Sequence, residues 1–335
     1  MPTVQGDGLR PGAGARVDAH AHAWIDPPPG VAEADAIALR DEAARASALR
    51  AFALAAGERR AALVDCQPPG AGRDARALAR LAEASGVAIC ASTGFHLARY
   101  YPEGVRPWRD ADAALAAFTD ELRGGLQELP GRPAAVIKAA DTGRAQTGRD
   151  GPDAPWWTAA LAARAATDAL LLIHTERGSD AEGLLAWLEA RGVPPDRVYL
   201  CHVDKRPDAG LHAELAGAGA LLGYDTFLRP SYDPDRNAWP LLRTMLESGL
   251  GRHVALGLDL ASPAMWPTPA GSDDPARPSG PAALLTAVAP RVRALGASER
   301  DMDDLLGDNL LRRAARVGRS AAHHEPPVVG HEEPT

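Results

Sequence analysis

Eight short apolar runs recur along this 335-residue chain, with stretches of helical spacing between them. They are RVDAHAHAW from Arg16, AALVDC from Ala61, VAICASTG from Val87, AAVIKAA from Ala134, ALLLIHTE from Ala169, VYLCHV from Val198, GALLGYD from Gly219 and VALGLDL from Val254. Each is too short for a helix core and reads as a strand buried on both faces. The intervening stretches include RDARALARLAEA from Arg73, DAALAAFTDELRGGL from Asp112, TAALAARAA from Thr158, AEGLLAWLEARG from Ala181 and LHAELAGAG from Leu211. Several close on a glycine, as helix ends prefer. Eight strand–helix units of about 30 residues predict an α/β chain closed into a (β/α)8 TIM barrel, which takes about 250 residues. A doubly wound open sheet would want a Gly-rich phosphate turn after its first strand, and none follows Arg16–Trp24.

The barrel is expected over residues 15–317. Residues 1–14 are Gly/Pro-rich and unpatterned and predict a flexible leader. Residues 318–335, with His323, His324 and His331, predict a disordered tail. The 36 Lys+Arg against 44 Asp+Glu leave a formal charge of −8, which argues against nucleic acid or an anionic membrane as partner. Cys66, Cys90 and Cys201 form no disulfide framework. No run nears the ~18–20 apolar residues of a membrane span, and the N-terminus lacks the apolar core of a secretory signal. A cytoplasmic protein acting on a small-molecule substrate is the expectation.

Barrel enzymes carry their chemistry where the strands end, on the C-terminal face. The first run ends in His20-Ala21-His22, and residues two apart on a strand point to the same side. The fourth strand is expected to end at Lys138, the fifth at His174, the sixth at His202 and the eighth at Asp259. Taken singly, each has a structural reading: a satisfied core histidine, a salt-bridged or Schiff-base lysine, a capping aspartate. Their conjunction at the ends of separate strands points instead to one mouth. His212, inside a predicted helix, and His253, below the last strand, fall outside it.

The segments VDAHAH, VDCQPPGAGRDARALARLAEASGVAICASTGFH, VIKAADTG, IHTERG, RVYLCHVD, GLDLA and GDNLLRRAARV resemble, in order and spacing, the phosphotriesterase family of the amidohydrolase superfamily. That resemblance covers nearly all of residues 15–317 and implies two divalent metals. One would be held by His20, His22 and Asp259 and the other by His174 and His202, with Lys138 carboxylated (N6-carboxylysine) between them. Ala21 stands where the family often has Glu, but its side chain would point away from the metals. His/carboxylate ligation suits Zn2+, with Mn2+, Co2+ and Fe2+ as neighbours. Two such cations would lower the pKa of a bridging water to give a hydroxide nucleophile, and Asp259 would shuttle its proton. The family's frequent dimerisation makes a homodimer the assembly to expect.

The resemblance is strongest to the sugar-lactonase-like branch, which implies hydrolysis of a lactone or related carboxylic ester. Phosphotriester and N-acyl amide hydrolysis are the alternatives on the same centre, and a metal-binding barrel without turnover is a further one. The branch often follows its metal Asp with paired arginines and a Tyr that suit a phosphorylated substrate. Here Ala261-Ser262-Pro263-Ala264-Met265-Trp266 stands instead. Lys205, Arg206 and Arg229 are the remaining cations for such a group. Pocket candidates are His96 and Tyr100 after the third run, Tyr224 in the seventh and Trp266 in the last loop, with Phe95, Tyr101 and Tyr232 beside them.

Overall fold

The computed structural model describes residues 1–143, 148–266 and 279–315. All eight expected strands are present: β1 (Arg16–Ala21), β2 (Ala61–Asp65), β3 (Ala88–Gly94), β4 (Val136–Asp141), β5 (Leu171–Thr175), β6 (Val198–Cys201), β7 (Leu221–Tyr224) and β8 (Val254–Leu256). They form one parallel sheet in chain order. Between them run α1 (Glu42–Ala56), α2 (Ala75–Ser85), α3 (Ala111–Arg123), α4 (Ala154–Thr167), α5 (Ala181–Glu189), α6 (Ala209–Ala218) and α7 (Ala238–Glu247). Asp41, Asp74, Asp110 and Asp208 cap α1, α2, α3 and α6 by accepting backbone N–H groups of the first turn. The chain ends in α8 (Ala289–Ala294), α9 (Glu299–Asp303) and α10 (Asn309–Ala314).

The sheet curls into a near-closed barrel, and its seam lies between β8 and β1. There the Asp259 N–H donates to the His20 carbonyl at 2.8 Å. The buried Asp18 carboxylate accepts from the His20 N–H at 3.2 Å and the Leu258 N–H at 3.1 Å. Burial, opposed by those two bonds, lifts the Asp18 carboxyl to about 8. On β3, Gly94 pairs with Lys138 of β4 and has φ +99°; a Cβ there would run into the Lys138 carbonyl. Only glycine lets the two strands meet at the level of that lysine.

Apolar packing falls into two shells. The larger joins the outer face of the sheet to the helices, through residues such as Leu63, Leu78, Phe118, Ile173 and Leu242. The smaller fills the barrel interior with Val17, Val64, Cys66, Cys90, Leu172, Tyr199 and Cys201, and continues below to Met1, Leu9, Leu310 and Leu311. All three cysteines are free and buried. Among the described residues no helix is long and apolar enough to cross a membrane.

The flexible leader expected over residues 1–14 is not what the structure contains. Met1, Val4 and Leu9 are buried. The Val4 N–H donates to Ile89 O at 2.8 Å, and the Gln5 amide bonds Val87 O at 2.7 Å and the Ile89 N–H at 3.3 Å. Asp308 holds the Gly12 N–H, while Asn309 donates to Gly251 O and Val254 O. The segment therefore plugs the bottom of the barrel beside α10. Its three anchors are irregularly spaced, so no periodicity announced them. The expected tail over 318–335 lies outside the described residues.

Removing residues 1–9 strips three buried apolar side chains, each worth about 1.5–3 kcal/mol. The thermal midpoint of the truncated protein is expected to fall by several degrees. An unchanged melting curve would show the plug to be dispensable.

Candidate metal centre

The strand ends bring His20, His22, His174, His202 and Asp259 to one mouth, lining a cavity of about 300 Å³, and Lys138 is fully buried close to these histidines. His20 and His22 aim their Nε2 atoms at Asp259 Oδ1, at 3.8 and 3.5 Å. The donor atoms of these three residues lie within 4.8 Å of one another. The His202 ring stands 4.6 Å from that of His20 and 4.9 Å from that of His174, centroid to centroid. Lys138 lies midway along β4 rather than at its end, and its fully buried ammonium is near enough to help lower the pKa of His20 and His174.

Buried partners orient these rings. One Asp225 oxygen accepts from His20 Nδ1 at 3.0 Å and the other from His202 Nδ1 at 2.9 Å. Gln67 Oε1 accepts from His22 Nδ1 at 3.0 Å. In His20 and His22 an oxygen on Nδ1 leaves the Nε2 lone pair facing Asp259, the state a metal ligand needs, while His202 brings its Nδ1 within 3.6 Å of Asp259 Oδ2. Burial, then Lys138, keep the His20 pKa well below the ordinary imidazole value; burial takes His174 down to about 3. Burial opposes ionisation of Asp259, but His202, Arg229 and His20 hold its carboxyl well below the usual range.

The donor set fits cations. His20 Nε2, His174 Nε2 and Lys138 Nζ are all buried without a hydrogen-bond partner. Leaving buried nitrogens unpaired is costly unless something binds to them. The backbone carries a second mark. His202 at φ +62° and Asp259 at φ +46° are held in the left-handed region that residues other than glycine rarely occupy, at about 1–3 kcal/mol each. Such strain collects where a fold must aim a side chain.

Of the substrate candidates read from the sequence, His96, Tyr100 and Lys205 line the cavity, together with Arg229, Tyr232 and Glu176. Arg229 donates to Asp259 Oδ2 at 2.6 Å, and Lys205 Nζ lies 4.0 Å from the same oxygen. Glu176, 3.7 Å from His174 Nε2, is pulled down to about 2 chiefly by that imidazole. Three candidates are misplaced. Arg206 pairs with Glu182 at 2.9 and 3.0 Å outside the cavity. Tyr224 faces the helices, its hydroxyl 2.7 Å from His212 Nδ1. Trp266 bonds Leu260 O at 3.0 Å and packs beneath the Arg45 guanidinium, so its ring serves the fold. Side-chain direction decides each case, and a position near a strand end does not reveal it.

Asp204, two residues past His202, is likewise committed elsewhere. It accepts from the Asp225 and Thr226 N–H groups and the Thr226 hydroxyl, which braces the end of β7. Sequence reasoning missed Asp225 and Gln67. Both follow strand ends, β7 and β2, and the rule that found His174 and His202 would have found them had every strand been examined.

A parallel eight-stranded barrel with a His/Asp/Lys mouth is the architecture of a metal-centred (β/α)8 protein. Residues 14–313 match the phosphotriesterase family, and the chain belongs to that family. It is 26% identical over 238 residues to the phosphotriesterase homology protein of Escherichia coli (strain K12), covering 71% of this chain and 78% of that one. It is also 26% identical over 265 residues to the phospho-furanose lactonase of Mycoplasmopsis synoviae (strain 53), covering 74% and 73%. Among solved structures, the fold is shared with an amidohydrolase from Mycoplasma synoviae (TM-score 0.80, 23% identity, 95% of each chain). A lactonase from Listeria monocytogenes has it too (TM-score 0.79, 19% identity, 93% of this chain and 98% of that one).

Two substitutions separate the roles assigned above. Asp225→Asn keeps the shape but removes the charge that orients two imidazoles. Metal affinity by calorimetry is expected to fall about 10–100-fold. Tyr224→Phe should leave the cavity unaltered and cost roughly 1 kcal/mol of stability through the lost His212 bond. A change in metal affinity or substrate KM with Tyr224→Phe would put that residue back at the site.

Proposed function

We propose that this protein is a binuclear metal-dependent hydrolase of lactones or related carboxylic esters. The observation that carries the reading is the cluster of His20, His22 and Asp259, whose donor atoms lie within 4.8 Å of one another, with Lys138 Nζ and His20 Nε2 buried there without a hydrogen-bond partner. His20, His22 and Asp259 would hold one cation, and His174 and His202 the other. Lys138, once carboxylated, would offer hard oxygens as further ligands. His/carboxylate ligation suits Zn2+, with Mn2+, Co2+ or Fe2+ as substitutes. When bound, the cations supply Lewis acidity at the scissile carbonyl and lower the pKa of water toward neutrality.

The chain's own groups account for the remaining work. Asp259, kept ionised by its cationic neighbours, can accept a proton and return it to the departing alkoxide. Gln67 and Asp225 hold the histidines so that no reorientation is needed during the reaction. Ile25, Val31, Ile37 and Met265 also line the cavity and give it apolar surface for the carbon skeleton of a substrate. Relatives named as lactonases support the ester over the phosphotriester, and no observation singles out an amide. Three free buried thiols support a cytoplasmic setting.

Protein loaded with Zn2+ or Mn2+ in bicarbonate is expected to hold close to two metals per chain and to hydrolyse members of a panel of lactones. Turnover confined to phosphotriesters or N-acyl amides in the same panel would reassign the substrate. Lys138→Ala should be inactive and regain part of its turnover with a short carboxylic acid that fills the vacated space. A metal-replete crystal with an unmodified, ordered Lys138 would refute the bridge. Asp259→Asn should lower kcat by about 10²–10⁴-fold, less for activated aryl esters whose leaving group needs no proton. Wild-type kcat in that variant would remove Asp259 from the proton transfer.

A further inference from the structure

His96 follows β3 and lines the cavity with 6% of its surface exposed. Its ring centroid lies 5.1 Å from that of His174. The Leu97 backbone N–H donates to His96 Nδ1 at 2.7 Å. A backbone N–H can only donate, so Nδ1 must present a lone pair. An imidazolium, or the Nδ1–H tautomer, would set hydrogen against hydrogen at that contact. The ring is therefore neutral with its proton on Nε2, and Nε2 has no hydrogen-bond partner among the described residues.

The ring is also held rigidly. The His96 N–H donates to the Tyr101 hydroxyl at 3.0 Å, and Arg106 donates to the His96 carbonyl at 2.8 Å while pairing with the buried Asp153 at 2.8 Å. The Arg106 guanidinium lies against the rings of Phe95, Tyr101 and Trp156. Tyr100 packs edge-on to the imidazole, centroids 4.6 Å apart.

We propose that His96 is a catalytic hydrogen-bond donor whose Nε2–H, fixed by the Leu97 backbone bond, meets the scissile carbonyl oxygen as it gains negative charge. The assignment rests on the ester-hydrolase reading for its substrate but not for its tautomer. It excludes His96 as a general base, because its only free nitrogen already carries a proton. No bond is made or broken at His96; it donates the same hydrogen bond throughout and strengthens it as the oxygen becomes an oxyanion. Binding energy realised only at that stage appears in kcat rather than KM.

Two readouts test this. In the zinc-loaded, 15N-histidine-labelled protein, long-range 1H–15N correlation should give His96, assigned by its loss in His96→Phe or His96→Gln, an unprotonated Nδ1 and a protonated Nε2. A protonated Nδ1 overturns the proposal. On the best substrate of the wild type, His96→Phe should lose about 10²–10³-fold in kcat with metal content and KM little changed, and His96→Gln, which keeps an N–H donor, should recover to within about tenfold of wild type. Equal losses for Phe and Gln, or a kcat within threefold of wild type for Phe, would overturn it. If His96→Phe does not fold, the spectrum and the Gln variant still decide. If the wild type hydrolyses no ester, the function reading fails while the spectrum still tests the donor.

Discussion

One carboxylate governs the geometry of the mouth. Asp225 leaves the end of β7 fully buried and gives one oxygen to His20 on β1 and the other to His202 after β6. Burial of a carboxylate is costly, yet the two imidazoles and the bonds they donate hold this one ionised. Three strand ends are tied at one point, with His20 Nε2 turned toward Asp259 and the His202 ring held against the same carboxylate. Without that bridge, neither Nδ1 would keep its carboxylate partner. The positive φ of His202 and Asp259 follows from the same demand, because the backbone bends to deliver the side chain.

Around that bridge the barrel solves a backbone problem with buried acids. Where parallel strands end, N–H groups lose their ladder partners. Asp18 takes up His20 and Leu258, Asp65 takes up Ala23 and Gln67, and Asp204 takes up Asp225 and Thr226. Desolvation pushes all three carboxyls upward, Asp18 to about 8 and Asp204 to about 7. They hold loop backbones in place and are not poised for proton transfer at the site. Asp259 and Asp225 differ because cationic or imidazole partners face them. Carboxylates of one residue type thus divide into braces and site groups by what lies opposite them.

The barrel and the six residues of its mouth were legible because they follow from local rules. Strand length, helix period and the identity of residues near strand ends are all properties of adjacent positions. Side chains whose role depends on direction were not legible. Tyr224 and Asp225 are neighbours at the end of β7, and alternation sends the first toward His212 and the second into the barrel. Arg206 and Lys205 are neighbours too, one paired with Glu182 outside and the other lining the cavity. The bottom plug was not legible for a related reason: Met1, Val4 and Leu9 have no period, and only the closed barrel makes them core, Met1 and Leu9 in the interior cluster and Val4 in the outer one.

The sequence by itself determined a parallel (β/α)8 barrel with His20, His22, Lys138, His174, His202 and Asp259 at one face, because strand periodicity and chain order settle which residues share an end. Tertiary structure alone decided which groups those residues answer to. The pairing of His20 and His202 through Asp225 joins positions about two hundred residues apart, the |i−j| of 205 between His20 and Asp225 being set only by closure of the barrel. The same holds for the tautomer of His96, fixed by a 2.7 Å contact from its own neighbour's backbone. Hydrogen bonds depend on direction as well as proximity, and direction is a property of the folded chain.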